Sequence, residues 1–360
     1  MSGVFLEPTD RRWTDFLKEV PHDVYHLPAY AALASRFEGG QPCAFYVREG
    51  QDAMLVPLLL RQIPHFLKTN TEMRDATSPY GFPSPLFSHP ERVEACRNLM
   101  MKMVEVARSQ GLVTIFLRLH PLLACPLQAF PDHGDLVQHG QTVSINLLRS
   151  LEEMTRDTCS NHRRGLRKLA KAGFSVVLDD WDDYPTFIRL YREAMTRIGA
   201  DPFYQFEGTY FDDLRCFLKS NLHLCSVLSA KGELASAGLF TVEGGFMEYH
   251  LGCSHEKYLK LAPSKLMFDF MRRWGHDQGL HLFHLGGGLG SRHDSLFDFK
   301  AGFSSRFTPF YTYRVVLDTS VYNTLCNAKQ KQMGDSVISN DFFPLYRLAM
   351  KNSVTTSEIS

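Results

Sequence analysis

One order of elements occurs twice along this chain, and that repetition restricts its fold more than any single motif. In the first pass, Trp13, Phe16 and Leu17 recur at helical spacing after Asp10, and residues 28–37 place Tyr30, Leu33 and Phe37 on one side of a second short helix. Strand-like runs at 44–48 and 53–60 are joined by Glu49-Gly50-Gln51-Asp52, which is hairpin chemistry because Gly50 tolerates positive φ. A Pro-rich loop follows at 77–87. Pro90 then opens a helix with Val93, Cys96, Met100, Met103 and Ala107 as its apolar stripe, Gly111 caps it, and 112–119 is a strand. In the second pass, 182–198 and 207–218 read as helices, 224–230 and 233–242 as a hairpin around Lys231-Gly232, and 246–252 as another strand. Pro263 opens the long helix, with the stripe Leu266, Met267, Phe270, Met271 and Trp274; Gly279 caps it and 280–285 is the strand. Gln110-Gly111-Leu112 and Gln278-Gly279-Leu280 mark the same helix-to-strand junction. The duplication predicts an α/β (α+β) protein of two tandem domains, each a mostly antiparallel twisted sheet flanked by helices. The expected bounds are 1–145 and 146–325, with 326–360 as an extension in which 342–350 docks as a short amphipathic helix and the final eight residues are disordered.

A chain of 360 residues has room for two such cores. Lys+Arg and Asp+Glu both number 39, so no global field draws it to DNA or an anionic membrane, and any polyanion site must be local. The N-terminal residues lack a signal-peptide core, and the most apolar run, 53–60, is too short to span a bilayer. These features predict a cytoplasmic protein without stable membrane insertion. Eight singly spaced cysteines with no Cys-x-x-Cys pair read as reduced thiols rather than a zinc site or disulfide frame.

The second repeat ends in LHLFHLGGGLGSRHDSLFDFKAGF (280–303), a buried strand that opens onto Gly286, Gly287 and Gly288. Glycines at a strand end let backbone and ligand approach closely, which makes the three candidate binding residues. The run is a near miss to the dinucleotide fingerprint, but no apolar helix follows; GxxxxGK and GxSxG are absent. His281 and His284 lie three apart on a strand, pointing to opposite faces, so they do not chelate one ion, and one of them borders the cleft. No metal is expected. Between the repeats, 149–171 reads as one helix with Ser150 and Glu153 as a capping box and a basic face of Arg163, Arg167 and Lys171, flanked by Arg164 and Lys168. That face is either solvated or a seat for phosphates; the candidate phosphate ligands are Arg163, Arg167 and Lys171.

The ordered set of the tandem hairpin-helix-strand units, His26-Leu27-Pro28-Ala29-Tyr30, Ser78-Pro79-Tyr80-Gly81, the basic helix running into Gly173-Phe174, and FHLGGGLG…DSLFDFKAGF resembles the Fem-type branch of the GNAT acyltransferases over residues 10–315. The resemblance implies two GNAT-like domains and transfer of an acyl or aminoacyl group onto an amine of a cell-envelope, peptidoglycan or extracellular polysaccharide precursor. It implies no tightly bound cofactor; the donor is aminoacyl-tRNA or acyl-CoA. By resemblance, Lys300 stabilises the oxyanion or leaving group, Phe299 and Phe303 wall the pocket, and Arg197 and Tyr204 hold the acceptor. Tyr249 and His250 are placed toward the same cleft, His250 as a candidate proton acceptor. The chain departs from the GNAT pattern where HEKYLKLAPSK (255–265) replaces the pyrophosphate loop, and it lacks the long helical arm of some Fem proteins. Two other readings share the pattern: an acyl-CoA-dependent N-acetyltransferase on another amine, and a two-domain module that binds a sugar phosphate without turnover.

Overall fold

The structure is a computed structural model and describes residues 3–64, 73–206, 208–333 and 342–348. The first half runs β1 (Val4–Leu6), α1 (Arg11–Leu17), α2 (Pro28–Glu38), β2 (Gln41–Glu49), β3 (Asp52–Gln62), β4 (Arg74–Thr77), β5 (Leu86–Phe87), α3 (Val93–Ser109), β6 (Leu112–Arg118) and β7 (Asp135–Asn146). The second continues with α4 (Leu151–Asp157), α5 (Ser160–Lys171), β8 (Ser175–Leu178), α6 (Tyr184–Arg197), α7 (Gly208–Leu218), β9 (Leu222–Leu228), β10 (Leu234–Glu243) and β11 (Phe246–Ser254). It closes with α8 (Ser264–Asp277), β12 (Leu282–Gly286), α9 (Ser295–Ala301), β13 (Arg306–Val316) and α10 (Thr319–Met333).

The described strands form one sheet in the order β1-β2-β3-β4-β6-β13-β7-β12-β11-β10-β9-β8, with β5 beside β3. From either edge inward the pairing has the same sense. It is antiparallel through β1-β2-β3-β4 and β8-β9-β10-β11, parallel at β4/β6 and β11/β12, and antiparallel at β6/β13 and β12/β7. The halves meet where β13 pairs with β7, also antiparallel. Gly111 and Gly279, at the paired junctions, both adopt φ +71. Each half therefore lends its last strand to the other: β7 completes the second set and β13 the first. The sheet runs unbroken past residue 145, which lies within β7.

Apolar faces of the helices pack on both sides of this sheet. The stripe of α3 (Cys96, Leu99, Met100, Met103, Val104, Ala107) covers the first half, whereas α2, α6 and α7 share a core with β9, β10 and β11. Three local expectations change. Pro90 lies in a turn, and α3 begins at Val93, which is exposed. The single basic helix is two: α4 ends at Thr158, Cys159 caps α5, and the Cys159 N–H bonds the Gly302 carbonyl at 2.8 Å. The buried face of α8 is rotated toward Phe268, Arg272 and Gly275, because Arg272 is fully buried, donating to Asp269, the Met154 carbonyl and the Thr158 hydroxyl. A charged side chain with each of its three nitrogens hydrogen-bonded sits in the core where a hydrophobicity pattern does not place it. Toward the C-terminus, residues 345–347 form a 3-10 turn rather than a longer docking helix; Tyr346 is buried and its hydroxyl donates to Asp75 at 2.9 Å. Residues 349–360, including the end expected to be disordered, lie outside the described set.

Candidate active site

The parallel ladder between β11 and β12 has three register pairs, ending at Glu248 and His284, after which the strands part. Between the parting strands opens a cleft of about 340 Å³ lined by Tyr80, Arg118, Tyr204, Glu248, Tyr249, His284, Gly286, Gly287, Gly288 and Lys300, among others. A second pocket of about 330 Å³ adjoins it at the N-terminal end of α8, lined by Ser264, Met267, Phe268 and Phe299; the two share Met195, Ile198, Tyr249, Gly252 and Leu296.

Lys300 sits in the last turn of α9, a helix capped by the Asp294 carboxylate, which accepts the N–H groups of Leu296 and Phe297. Its side chain is only 6% exposed, and Nζ donates to the Gly287 carbonyl at 2.6 Å, 5.7 Å from the centre of the Tyr249 ring. No carboxylate forms an ion pair with it among the described residues; Asp298 instead faces His293. Burial lowers its pKa to about 8, against the pull of Asp294 and Glu248. With one N–H spent on Gly287, two remain for a ligand. Gly286 carries φ +77, and a Cβ there would lie 3.2 Å from Nζ, so glycine is needed for both backbone and space.

Beneath the cleft runs a chain of buried ionisable groups drawn from both halves. Nδ1 of His284 donates to Oε2 of Glu248 at 2.6 Å; Oε1 of Glu248 stands 3.7 Å from Nε2 of His120, which donates to Asp23 at 2.9 Å. Asp23 also accepts from Nδ1 of His26 at 2.7 Å and from the Tyr25 N–H at 3.0 Å. Burial opposes ionisation of Asp23, whereas the hydrogen bonds it accepts from His120, His26 and the Tyr25 N–H favour the carboxylate. Asp23, His120 and Glu248 converge closely enough to suggest a metal site. The tautomer argues against it. Nδ1 of His120 accepts the N–H groups of Leu122 and Leu123, both at 3.0 Å, so the ring proton sits on Nε2, leaving no lone pair there for an ion. Burial disfavours a second proton while Asp23 and Glu248 favour one, raising the pKa to about 9. That proton would point at two backbone donors, and we therefore read His120 as a neutral donor.

The expected site residues separate into groups. Lys300, Tyr249, His250, Tyr204 and the three glycines line the first cleft, and Phe299 walls the second pocket. His250 is lowered to about 4 by burial, and its Nε2 is occupied by the Tyr210 hydroxyl at 2.7 Å, so it is not free to take a proton from substrate. Phe303 does not wall a pocket; it is core, packed on Phe268 and His162. Arg197 is exposed and donates to the Ser254 carbonyl at 3.4 Å, outside the cleft. One nitrogen of the Arg163 guanidinium caps α4, donating to the carbonyls of Thr155, Arg156 and Thr158, so this side chain is anchored to the helix end. Arg167 and Lys171 remain exposed. Asp23, His120 and Glu248 were not singled out from sequence; the one signal was His284, expected to border a cleft.

Residues 156–300 match the family model of the acetyltransferase (GNAT) domain. Over the whole chain the fold is shared with solved structures of low sequence identity. The structure of FemX superposes with a TM-score of 0.71 at 15% identity, covering 90% of this chain and 99% of that one. L-PGS from Bacillus licheniformis superposes with a TM-score of 0.56 at 12% identity, covering 90% and 98%. No curated protein matches the chain in sequence. Among the described residues no helix is long and apolar enough to cross a membrane.

Proposed function

We propose that this protein transfers an acyl or aminoacyl group onto an amine of a cell-envelope precursor. The observation that carries the reading is Lys300, a buried ammonium with two free N–H groups where two pockets meet. Transfer to an amine needs two substrates held side by side and a donor of positive charge at the carbonyl oxygen; it needs no covalent enzyme intermediate. The pocket at the N-terminus of α8 takes the donor's acyl end, and the cleft lined by Tyr80, Arg118 and Tyr204 takes the amine. The resemblance to the Fem-type branch supports an envelope precursor as the acceptor.

The donor is an aminoacyl-tRNA or an acyl carrier other than acetyl-CoA. In place of a pyrophosphate loop, residues 255–265 hold a 3-10 helix at Glu256–Leu261, with Ala262 in the left-handed region two residues before α8. Phosphates instead meet the exposed face of α5. A Cβ on Gly165 of α5 would lie 3.1 Å from the Lys265 side chain, so α5 packs beside the start of α8 through the side opposite Arg167 and Lys171, which stay open to solvent. The test is to incubate purified protein with labelled aminoacyl-tRNA, acetyl-CoA and longer acyl-CoA, each with an amino-sugar or peptidoglycan-precursor acceptor. Label should reach the acceptor from a donor other than acetyl-CoA. Binding of acceptor without transfer from any donor would replace this reading with a binding module.

A further inference from the structure

We propose that His284 takes the proton from the attacking amine, oriented by Glu248, and that Asp23 and His120 of the first half are positioning residues that hold Glu248 in place. The proposal rests on the acyl-transfer reading and assigns the proton acceptor that reading leaves open.

The geometry points to this assignment at three places. Nδ1 of His284 is committed to Glu248 at 2.6 Å, so the free lone pair is on Nε2. That atom has no hydrogen-bond partner in the protein although the residue is 1% exposed and lines the cleft. Buried polar atoms are satisfied as a rule, and an amine N–H entering the cleft supplies the missing donor. The arrangement of acceptor, ring and orienting carboxylate is the one that makes histidine an effective base, because the carboxylate fixes the tautomer and stabilises the imidazolium as it forms.

The second half of the proposal concerns Oε1 of Glu248, which also lacks a hydrogen-bond partner and stands 3.7 Å from Nε2 of His120, the nitrogen that carries that ring's single proton. That proton rests with Asp23 at 2.9 Å. Asp23 is held by two further donors and His120 by two backbone N–H groups, so the pair is rigid and packs as a fixed wall beside the open oxygen of Glu248. Of the four groups, Asp23 and His120 come from the first repeat and Glu248 and His284 from the second. The site is therefore complete only when both halves pack.

In the step itself, the amine nitrogen bonds to the donor's carbonyl carbon and gives one proton to His284 Nε2, while the carbonyl oxygen's charge meets the Lys300 ammonium. On collapse the bond from that carbon to the carrier oxygen or sulfur breaks, and the departing atom takes the proton from His284. Atoms and charge balance without a further reactant.

The test uses the full chain with its active donor and glucosamine as amine, together with NMR of 15N-labelled histidine. Charged and titratable groups around His284 are Glu248 from β11 and Lys300 from α9, with His120, Asp23 and His26 behind Glu248. His284→Gln and Glu248→Gln should each lower kcat by about a hundredfold or more, the range of a positioned base, with KM little changed. Asp23→Asn should lower kcat less, by roughly tenfold, and displace the acid limb of the pH–rate profile, which a purely structural role would leave in place. In the wild type, the resonance lost in His284→Gln should report an Nδ1–H tautomer, and Nε2 should shift when glucosamine is added. Unchanged kcat in His284→Gln overturns the proposal. Should wild type transfer no group at all, the acyl-transfer reading fails separately, and the spectrum still decides the dyad: an Nε2–H tautomer, or no shift with glucosamine, overturns it.

Discussion

Glu248 and His284 are direct register partners on the parallel strands β11 and β12, joined side chain to side chain at 2.6 Å, and they form the last pair before those strands part. The ladder's hydrogen bonds hold the dyad rigid on one side, and the parting opens the cleft that His284 helps to line. Lys300 reaches the same opening from α9, anchored by a backbone carbonyl.

Gly286 tests how tightly that opening is built. Gly286→Ala places a Cβ 3.2 Å from Nζ of Lys300 and forces a side chain into φ +77. We expect a loss of about 1 kcal/mol in stability, seen in urea unfolding, and a fall in kcat of tenfold or more. Full activity in a folded Gly286→Ala protein would show that Nζ is not confined as described.

Lys300 sets the alkaline limit of the reaction. Its ammonium is the active form, and its pKa is lowered to about 8 by burial, so the rate should fall as pH rises through about 8, well below the ordinary lysine range. The sign for stability is opposite. A folded pKa below the unfolded one means the unfolded chain binds more protons between the two values, so this group's contribution to stability grows as pH rises from about 8 toward 10.5. At neutral pH the buried charge opposes folding by roughly 3 kcal/mol. Lys300→Met should therefore raise the Tm while abolishing turnover; a lowered Tm would contradict the burial argument.

The basic residues of α5 divide by role. Arg163→Ala should lower stability by about 1 kcal/mol through loss of the α4 cap and leave donor binding unchanged. Arg167→Gln with Lys171→Gln should leave stability alone, weaken binding of a phosphate-bearing donor and flatten its dependence on salt. Titrating donor at several salt concentrations checks both, and equal affinity in the double variant would return this face to solvent.

The repeat and the glycine-lined strand end were legible in the sequence because each is a local pattern: a helical stripe, a glycine cap, a short motif. What was hidden is non-local. Nothing in the chain order shows that β7 and β13 change places, since strand pairing is decided by the packing of whole halves. For the same reason Asp23, His120 and Glu248 look like unrelated surface residues until β6 and β11 bring them beneath one cleft. Arg163 and Arg272 were hidden by their type. A cation on a helix reads as solvent-facing, whereas here one caps α4 and the other lies in the core with each of its three nitrogens hydrogen-bonded.

The most direct test of the central claim is the steady-state rate of Lys300→Ala beside wild type, with the donor and acceptor found active, at pH 7. If Lys300 meets the charge on the carbonyl oxygen, kcat should fall by about a hundredfold or more, as on loss of an oxyanion donor, with KM for both substrates within a few-fold of wild type. Equal kcat in the two proteins would remove Lys300 from the chemistry, and with it this account of the site.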